Sequence, residues 1–306
     1  MLGWRRRALR AGAWVALALL VLLVASELAV RAFGALSFPL YRADPYVGYW
    51  PAPGQSGRFL NKNRWVFNER SMGVAEAFRP GPGRDVLLVG DSIVLGGNPL
   101  DQDEKLGPRL TRITGHRHWP LSAGSWALLN EVHFLKRNMD VVEKSDALVF
   151  VLNSEDFAQA SSWACDITHP REHPRVAIAY LIRKYLIPER QCLAGVPPEL
   201  KVPAADWKEA WRELLSDARV RGKPVDVWLY PTREESLRPE LMRTRLEAVA
   251  AQLRMQGLSD KLVLRSLGRD SRWMGMTYID VIHPDAAGVG VLAEIMANPS
   301  PATLLP

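Results

Sequence analysis

Five short apolar runs, separated by segments of helical period, constrain this chain more than any other feature. They are Asp85–Gly90 (DVLLVG), His118–Leu121, Asp146–Leu152 (DALVFVL), Val225–Tyr230 (VDVWLY) and Lys261–Arg265. A continuous apolar run of this length, bounded by turn residues, suits a strand buried on both faces. Residues 101–114 and 126–142 read as helices. Ala205–Val220 sets Trp207, Trp211, Leu214, Leu215 and Ala218 on one face. Leu237–Gln256 behaves similarly, with Gly257 as its stop, and a last helix spans about Ala286–Met296. Strands alternating with helices imply an α/β fold: a three-layer α/β/α sandwich with a mainly parallel, flavodoxin-like sheet of about five strands. Ligands then bind beyond the carboxyl ends of the strands.

Three segments fall outside that rhythm. Residues 34–84, rich in Pro, Gly and aromatics, read as an irregular lead-in with one or two short strands. Residues 157–204 read as an insertion over one edge of the sheet, with an apolar helix around Val176–Ile187. The core domain then spans 85–300.

Residues 1–33 form the third segment, a targeting signal. Arg5, Arg6, Arg7 and Arg10 precede the apolar run Ala11–Ala25, and extension through Glu27 to Phe33 reaches the length that crosses a bilayer. Positive residues stay cytoplasmic, so the rest of the chain is expected outside, tethered to an inner membrane by a single pass. A cleaved signal peptide, with Val24 and Ser26 at the small-residue cleavage positions, is the alternative, and it exports the domain equally. The arginines supply four of the six net positive charges. The basic balance is therefore a topology signal, and no basic, aromatic-laced stripe for nucleic acid follows. In an exported chain the two cysteines, Cys165 and Cys192, are expected to pair, the alternative being two buried thiols.

Two elements carry chemistry. Gly90-Asp91-Ser92 follows the first strand, which is where a doubly wound fold places its active site. Asp280-Val281-Ile282-His283-Pro284 lies near the end of the chain, and an Asp three residues before a His can orient its ring. Singly, each has a bland reading: a turn with Asp91 as helix cap, and a surface His near a capping Asp. His116 and His118 lack accompanying metal ligands, and the prolines after His169 and His173 argue against a helical metal pair. No phosphate-loop pattern occurs, and no cofactor or metal is implied. Trp126 and Trp163 read as core residues, with the lining of a sugar cleft as the alternative.

Together, a serine after the first core strand and Asp-x-x-His before the last helix resemble the SGNH (GDSL-like) hydrolases over roughly residues 85–296. The resemblance implies Ser92 as nucleophile, His283 as base and Asp280 as orienter. It implies an oxyanion hole from the Ser92 and Gly124 amides, Gly124 lying within Ser122-Ala123-Gly124-Ser125-Trp126. The family's third donor is an asparagine in a Gly-x-Asn-Asp segment. Here the stretch is Asn153-Ser154-Glu155-Asp156, which puts Glu155 at the Asn position if Asp156 is aligned. Either Asn153 donates from two residues earlier or the hole lacks its third donor. A carboxylate there could not donate unless protonated.

Export together with the resemblance implies an extracytoplasmic serine esterase or O-acyltransferase acting on short acyl, especially acetyl, esters of a cell-envelope or secreted polysaccharide. The alternative is a non-catalytic SGNH-like module that binds glycans or partner proteins of an envelope export assembly. A lipase or thioesterase is a third reading and predicts an apolar cleft near the insertion.

Overall fold

The five apolar runs pair into one all-parallel sheet in a computed structural model, which describes residues 2–187, 192–256 and 261–306. The strands are β5 (Asp85–Gly90), β6 (Arg117–Ser122), β7 (Ala147–Leu152), β8 (Val225–Leu229) and β9 (Leu262–Ser266), four other strands preceding them. Their order is β6-β5-β7-β8-β9, the flavodoxin-like arrangement. The order reverses between β5 and β7, so the crevice at their carboxyl ends is where such a sheet offers a site. Gly90 pairs with Ser122 on one side and Val151 on the other, which aligns the ends of three strands.

Every residue of β5 is buried, which is why its sequence shows no alternation. Leu87 and Val89 face one apolar layer, with Trp211, Leu214 and Leu246; Leu88 faces the other, with Ile93, Tyr230, Val289 and Leu292. At the opposite end of the sheet Asp85 is 1% exposed. It accepts two bonds from Arg117 (2.7 and 2.6 Å) and one from Trp119 Nε1 at 2.8 Å. Burial opposes its charge, but Arg117 and Trp119 outweigh it and hold its pKa below the usual range.

The helical segments are more broken than their sequence periods suggest. Residues 126–142 form two helices, Leu128–Arg137 and Met139–Lys144, because Asn138 leaves helical geometry (φ −120°, ψ 39°). Residues 101–114 divide into a 3₁₀ turn, Gln102–Glu104, and the helix Leu106–Thr114. The helix within 205–220 ends at Ser216; Trp211, Leu214 and Leu215 are buried, but Ala218 lies past the end and is exposed. Within 237–256 a π-helical turn, Met242–Glu247, precedes Ala248–Gln256; Gly257 lies outside the described residues.

The lead-in is more ordered than the one or two strands expected of it. It contains two antiparallel hairpins, β1 (Tyr41–Asp44) with β2 (Gly48–Pro51) and β3 (Gln55–Phe59) with β4 (Asn63–Phe67). The turn chemistry is local. Asp44 Oδ1 accepts from the Tyr46 and Val47 amides, and Leu60 and Asn61 both adopt positive φ, as a tight hairpin turn requires. Pro and Gly within these short strands concealed them.

A single helix, Leu2–Ala32, begins the chain, and its Leu9–Ala32 part is long and apolar enough to cross a membrane. Its C-terminal end is tied to the insertion. Glu27 accepts from the amides of Ala177 and Ile178, which open the short helix Ala177–Leu181, and Arg31 donates to the carbonyls of Pro174 and Arg175. Cys165 and Cys192 form a disulfide within the insertion.

Removing the Asp85 carboxylate leaves Trp119 Nε1 without its acceptor and Arg117 with only the Gly81 and Pro82 carbonyls. Asp85→Ala should lower unfolding free energy by roughly 2–4 kcal/mol, read from urea denaturation; a loss below about 1 kcal/mol would show that the cluster does not hold the β5–β6 pairing.

Candidate active site

Ser92 opens a one-turn helix (Ser92–Leu95) at the end of β5. Asp91 caps it, Oδ1 accepting the Ile93 amide at 2.8 Å. Glycine at 90 is a packing requirement: a Cβ there would lie 2.5 Å from Val94 Cγ2 and 3.0 Å from the Val151 carbonyl oxygen. The chain can therefore turn from strand to helix against its neighbour β7.

His283 and Asp280 arrive on a loop that several bonds fasten to the end of the sheet. The Ile279 amide donates to the His283 carbonyl, which closes the loop. Tyr230, buried directly after β8, donates its hydroxyl to the Ile282 carbonyl at 2.7 Å. Tyr278 Oη donates to the Pro231 carbonyl, and the Arg233 amide to that of Val281. Inside the loop, Asp280 Oδ1 accepts the Ile282 and His283 amides at 2.9 and 2.8 Å, and Oδ2 lies 2.8 Å from His283 Nδ1. His283 Nε2 lies 2.8 Å from Ser92 Oγ. The Asp280 carboxylate can only accept, so Nδ1 carries the proton and Nε2 is left to take one from Ser92. Partial burial opposes the Asp280 charge, but the two amides and the ring outweigh it and hold the pKa below the usual carboxylate range. Both side chains are accessible, His283 at 42% and Asp280 at 50%.

Two further loops end at this crevice. After β6, the Gly124 N–H has no protein acceptor among the described residues, and a Cβ there would meet nothing within 4 Å. Its carbonyl accepts the Tyr49 hydroxyl at 2.8 Å, and its backbone is also hydrogen-bonded by His169. The Tyr49 and His169 rings pack with centroids 3.9 Å apart, and Trp126 Nε1 donates to the Tyr49 carbonyl. Lead-in and insertion thus brace the Gly124 loop together.

After β7, Asn153 is 2% exposed, whereas Glu155 is on the surface. Asn153 Oδ1 accepts the Glu155 amide at 2.7 Å. Its Nδ2 donates to Asp156 Oδ1 at 3.0 Å and to Asp91 Oδ2 at 3.2 Å, and that same Asp91 oxygen lies 3.4 Å from Ser92 Oγ. Asn153 rather than Glu155 is therefore the residue brought beside Ser92. Trp126 and Trp163 are buried, and Trp163 lies under the Arg171 guanidinium. His118 is a buried member of β6, its Nδ1 facing the His116 carbonyl.

Sequence reasoning missed the acids beneath the site. Asp91, Glu131 and Asp156 are all buried, and neither Glu131 oxygen has a hydrogen-bond partner. Burial raises all three pKa values, and mutual repulsion adds to the effect for Glu131 and Asp156. Asp91 is pushed up to about 6, and Glu131 and Asp156 well above the usual range. The signal was present in part: Glu131 shares a face with Leu128, Val132 and Leu135 at helical spacing.

No protein-family model and no curated protein matches the chain. Among solved structures it is similar to the lipase Lip_vut3 from a goat rumen metagenome, at 12% identity and TM-score 0.38, over 72% of this chain and 99% of that one. It is similar to a member of the lipolytic G-D-S-L family from Veillonella parvula, at 13% identity and TM-score 0.38, over 69% and 94% of the two chains. It is also similar to a family two carbohydrate esterase from Clostridium thermocellum, solved with cellohexaose, at 13% identity and TM-score 0.41, over 72% and 65%. At these scores none of them brings an activity or a substrate to this chain.

With its pKa raised above the unfolded value, Asp91 binds more protons in the folded than in the unfolded state between the ordinary carboxylate value and about 6. Stability from this group is present at low pH and is lost as pH rises through that window. Asp91→Asn should therefore be more stable than wild type at pH 7, by about 2–3 kcal/mol at most, with the difference vanishing in acid. Thermal unfolding across pH measures it, and a destabilised variant at pH 7 would show that the ionised cap outweighs the desolvation.

Proposed function

We propose that this chain is a membrane-anchored, extracytoplasmic serine esterase or O-acyltransferase of the SGNH type, acting on short acyl esters, acetyl above all, of a cell-envelope or secreted polysaccharide. The observation that supports it is the continuous hydrogen-bond path from Ser92 Oγ through His283 to Asp280, 2.8 Å at each step. The arginine-led N-terminal helix supports export, and its outer end, bonded to the insertion, would hold the site at the membrane's outer face.

The reaction follows from those atoms. His283 Nε2 takes the Ser92 proton as Oγ bonds to the ester carbonyl carbon, and the carbonyl π pair moves onto oxygen. Asp280 stabilises the imidazolium. The open Gly124 amide and the Ser92 amide, with Asn153, would donate to the oxyanion. Collapse breaks the bond to the leaving alcohol, which takes the proton from His283. Water or a sugar hydroxyl then gives its proton to His283 and attacks the acyl-serine; the bond from Ser92 Oγ to the acyl carbon breaks, Oγ takes that proton back from His283, and acid or a new ester is released. Asn153 donates to two carboxyls at rest, so its part in the hole requires a small rotation away from Asp91.

Full-length protein in detergent should hydrolyse a short-chain acetyl ester and take a fluorophosphonate label at Ser92. Ser92→Ala and His283→Ala should lose activity by at least about 10³-fold while remaining folded. Wild-type rates equal to those of Ser92→Ala, with no label, would point to a glycan- or partner-binding module. Asn153→Ala should lower kcat by roughly 10²-fold, whereas Glu155→Asn should leave it within about twofold of wild type; the reverse pattern would place Glu155, not Asn153, at the oxyanion.

A further inference from the structure

A cavity of about 140 Å³ borders Leu95, the last residue of the Ser92 helix, and is formed by three parts of the chain. Leu95 ends the Ser92 helix, and Gly97 and Asn98 lie in the turn that follows it; Phe38 and Tyr41 come from the lead-in; Thr168, Pro170 and Lys184 from the insertion. Thr168 and Pro170 flank His169, whose ring bonds the Gly124 backbone. The cavity is thus bordered by the helix that carries the nucleophile and by the support of the proposed oxyanion loop.

Lys105 lines this cavity and is 5% exposed. Its stem packs on Gly96, where a Cβ would lie 2.9 Å from Lys105 Cγ. Its ammonium has no hydrogen-bond or ion-pair partner among the described residues. Asp101 acts on it only at longer range and is itself hydrogen-bonded by Arg64. Burial lowers the Lys105 pKa to about 8, so the amine is still mostly charged at neutral pH. A buried charge without a partner is expensive for a fold to keep. A second amine enters from the insertion: Lys184 donates to Tyr180 Oη at 3.0 Å and lies over the Phe38 ring. The space is ample for a carboxylate or phosphate group.

We propose that this cavity is an anion subsite, in which Lys105, assisted by Lys184, binds a carboxylate or phosphate group of the substrate. Assigning that group to a substrate rests on the esterase reading above; the anion site itself does not. The chain would then select acyl esters on acidic glycans over neutral ones. A charge-assisted hydrogen bond from a buried ammonium would supply the discrimination.

The test is calorimetric titration of the full-length protein in detergent with glucuronate, inorganic phosphate and, as neutral control, glucose. Glucuronate or phosphate should bind and glucose should not; the tighter of the two anions identifies the carboxylate or phosphate source. Lys105→Met should weaken anion binding roughly tenfold or more while raising the melting temperature, because it removes an unpartnered buried charge. Ser92→Ala should bind the anion as wild type does. Lys184→Gln should also weaken binding, which keeps the test decisive if Lys105→Met does not fold. For turnover, the ratio of kcat/KM for acetylated glucuronate to that for acetylated glucose should fall roughly tenfold in Lys105→Met. Absence of anion binding in the wild type, or unaltered binding in both lysine variants, overturns the subsite. Lys105-dependent binding without any turnover would keep the anion site and reject the esterase reading instead.

Discussion

The pairing of β5 between β6 and β7 is the constraint on which the rest of the molecule depends. Parallel register brings Gly90, Ser122 and Val151 level, so three loops leave the sheet at one edge. Those loops carry Ser92, Gly124 and Asn153. No long-range recognition is needed to gather them; the hydrogen bonding of three apolar strands does so. The glycine at 90 is the local condition, because any side chain there would collide with Val94 and the Val151 carbonyl. His283 and Asp280 are the exception. They are brought in from far along the chain, and their loop is held by Tyr230 and Tyr278 rather than by the strands.

How much of this was legible in the sequence follows from the same physics. Strands buried on both faces write themselves as uninterrupted apolar runs, so DVLLVG and its four counterparts located the sheet to within a residue or two. The Asp-x-x-His spacing is short enough for one turn to carry both groups, and the loop geometry shows them in contact. The hairpins of the lead-in were hidden because they rely on turn chemistry at Asp44 and Asn61 rather than on alternation. Helix breaks such as that at Asn138 are tertiary accommodations that a period of 3.6 cannot reveal. The choice between Asn153 and Glu155 was open in the sequence because it depends on which way a three-residue turn faces. The bonds of Asn153 to Asp156 and Asp91 bury it and leave Glu155 outside.

The lead-in and the insertion do more than cover the sheet. Tyr49 and His169, one from each, meet on the backbone of Gly124, and the insertion in turn is bonded to Glu27 and Arg31 of the N-terminal helix. A continuous chain of contacts therefore runs from the apolar helix through the insertion to the loop beside Ser92. Segments that lack the regular α/β pattern are the ones that give this particular site its walls.

Two kinds of buried ionisable group lie around Ser92, and their charged forms have opposite signs. Asp91, Glu131 and Asp156 crowd beneath it, where burial raises all three pKa values and repulsion between the carboxylates adds to the rise for Glu131 and Asp156. Lys105 lies at its flank, where burial presses a cation to release its proton. The two do not neutralise each other: Asp91 bonds Asn153 and the Ile93 amide, and Lys105 faces a cavity instead. A fold selected for stability alone would replace such groups by apolar ones of similar size. Their retention on both sides of one serine fits the proposed site, in which a ligand would supply the missing partners. The acids set the resting position of Asn153, and the lysine waits for an anion from outside.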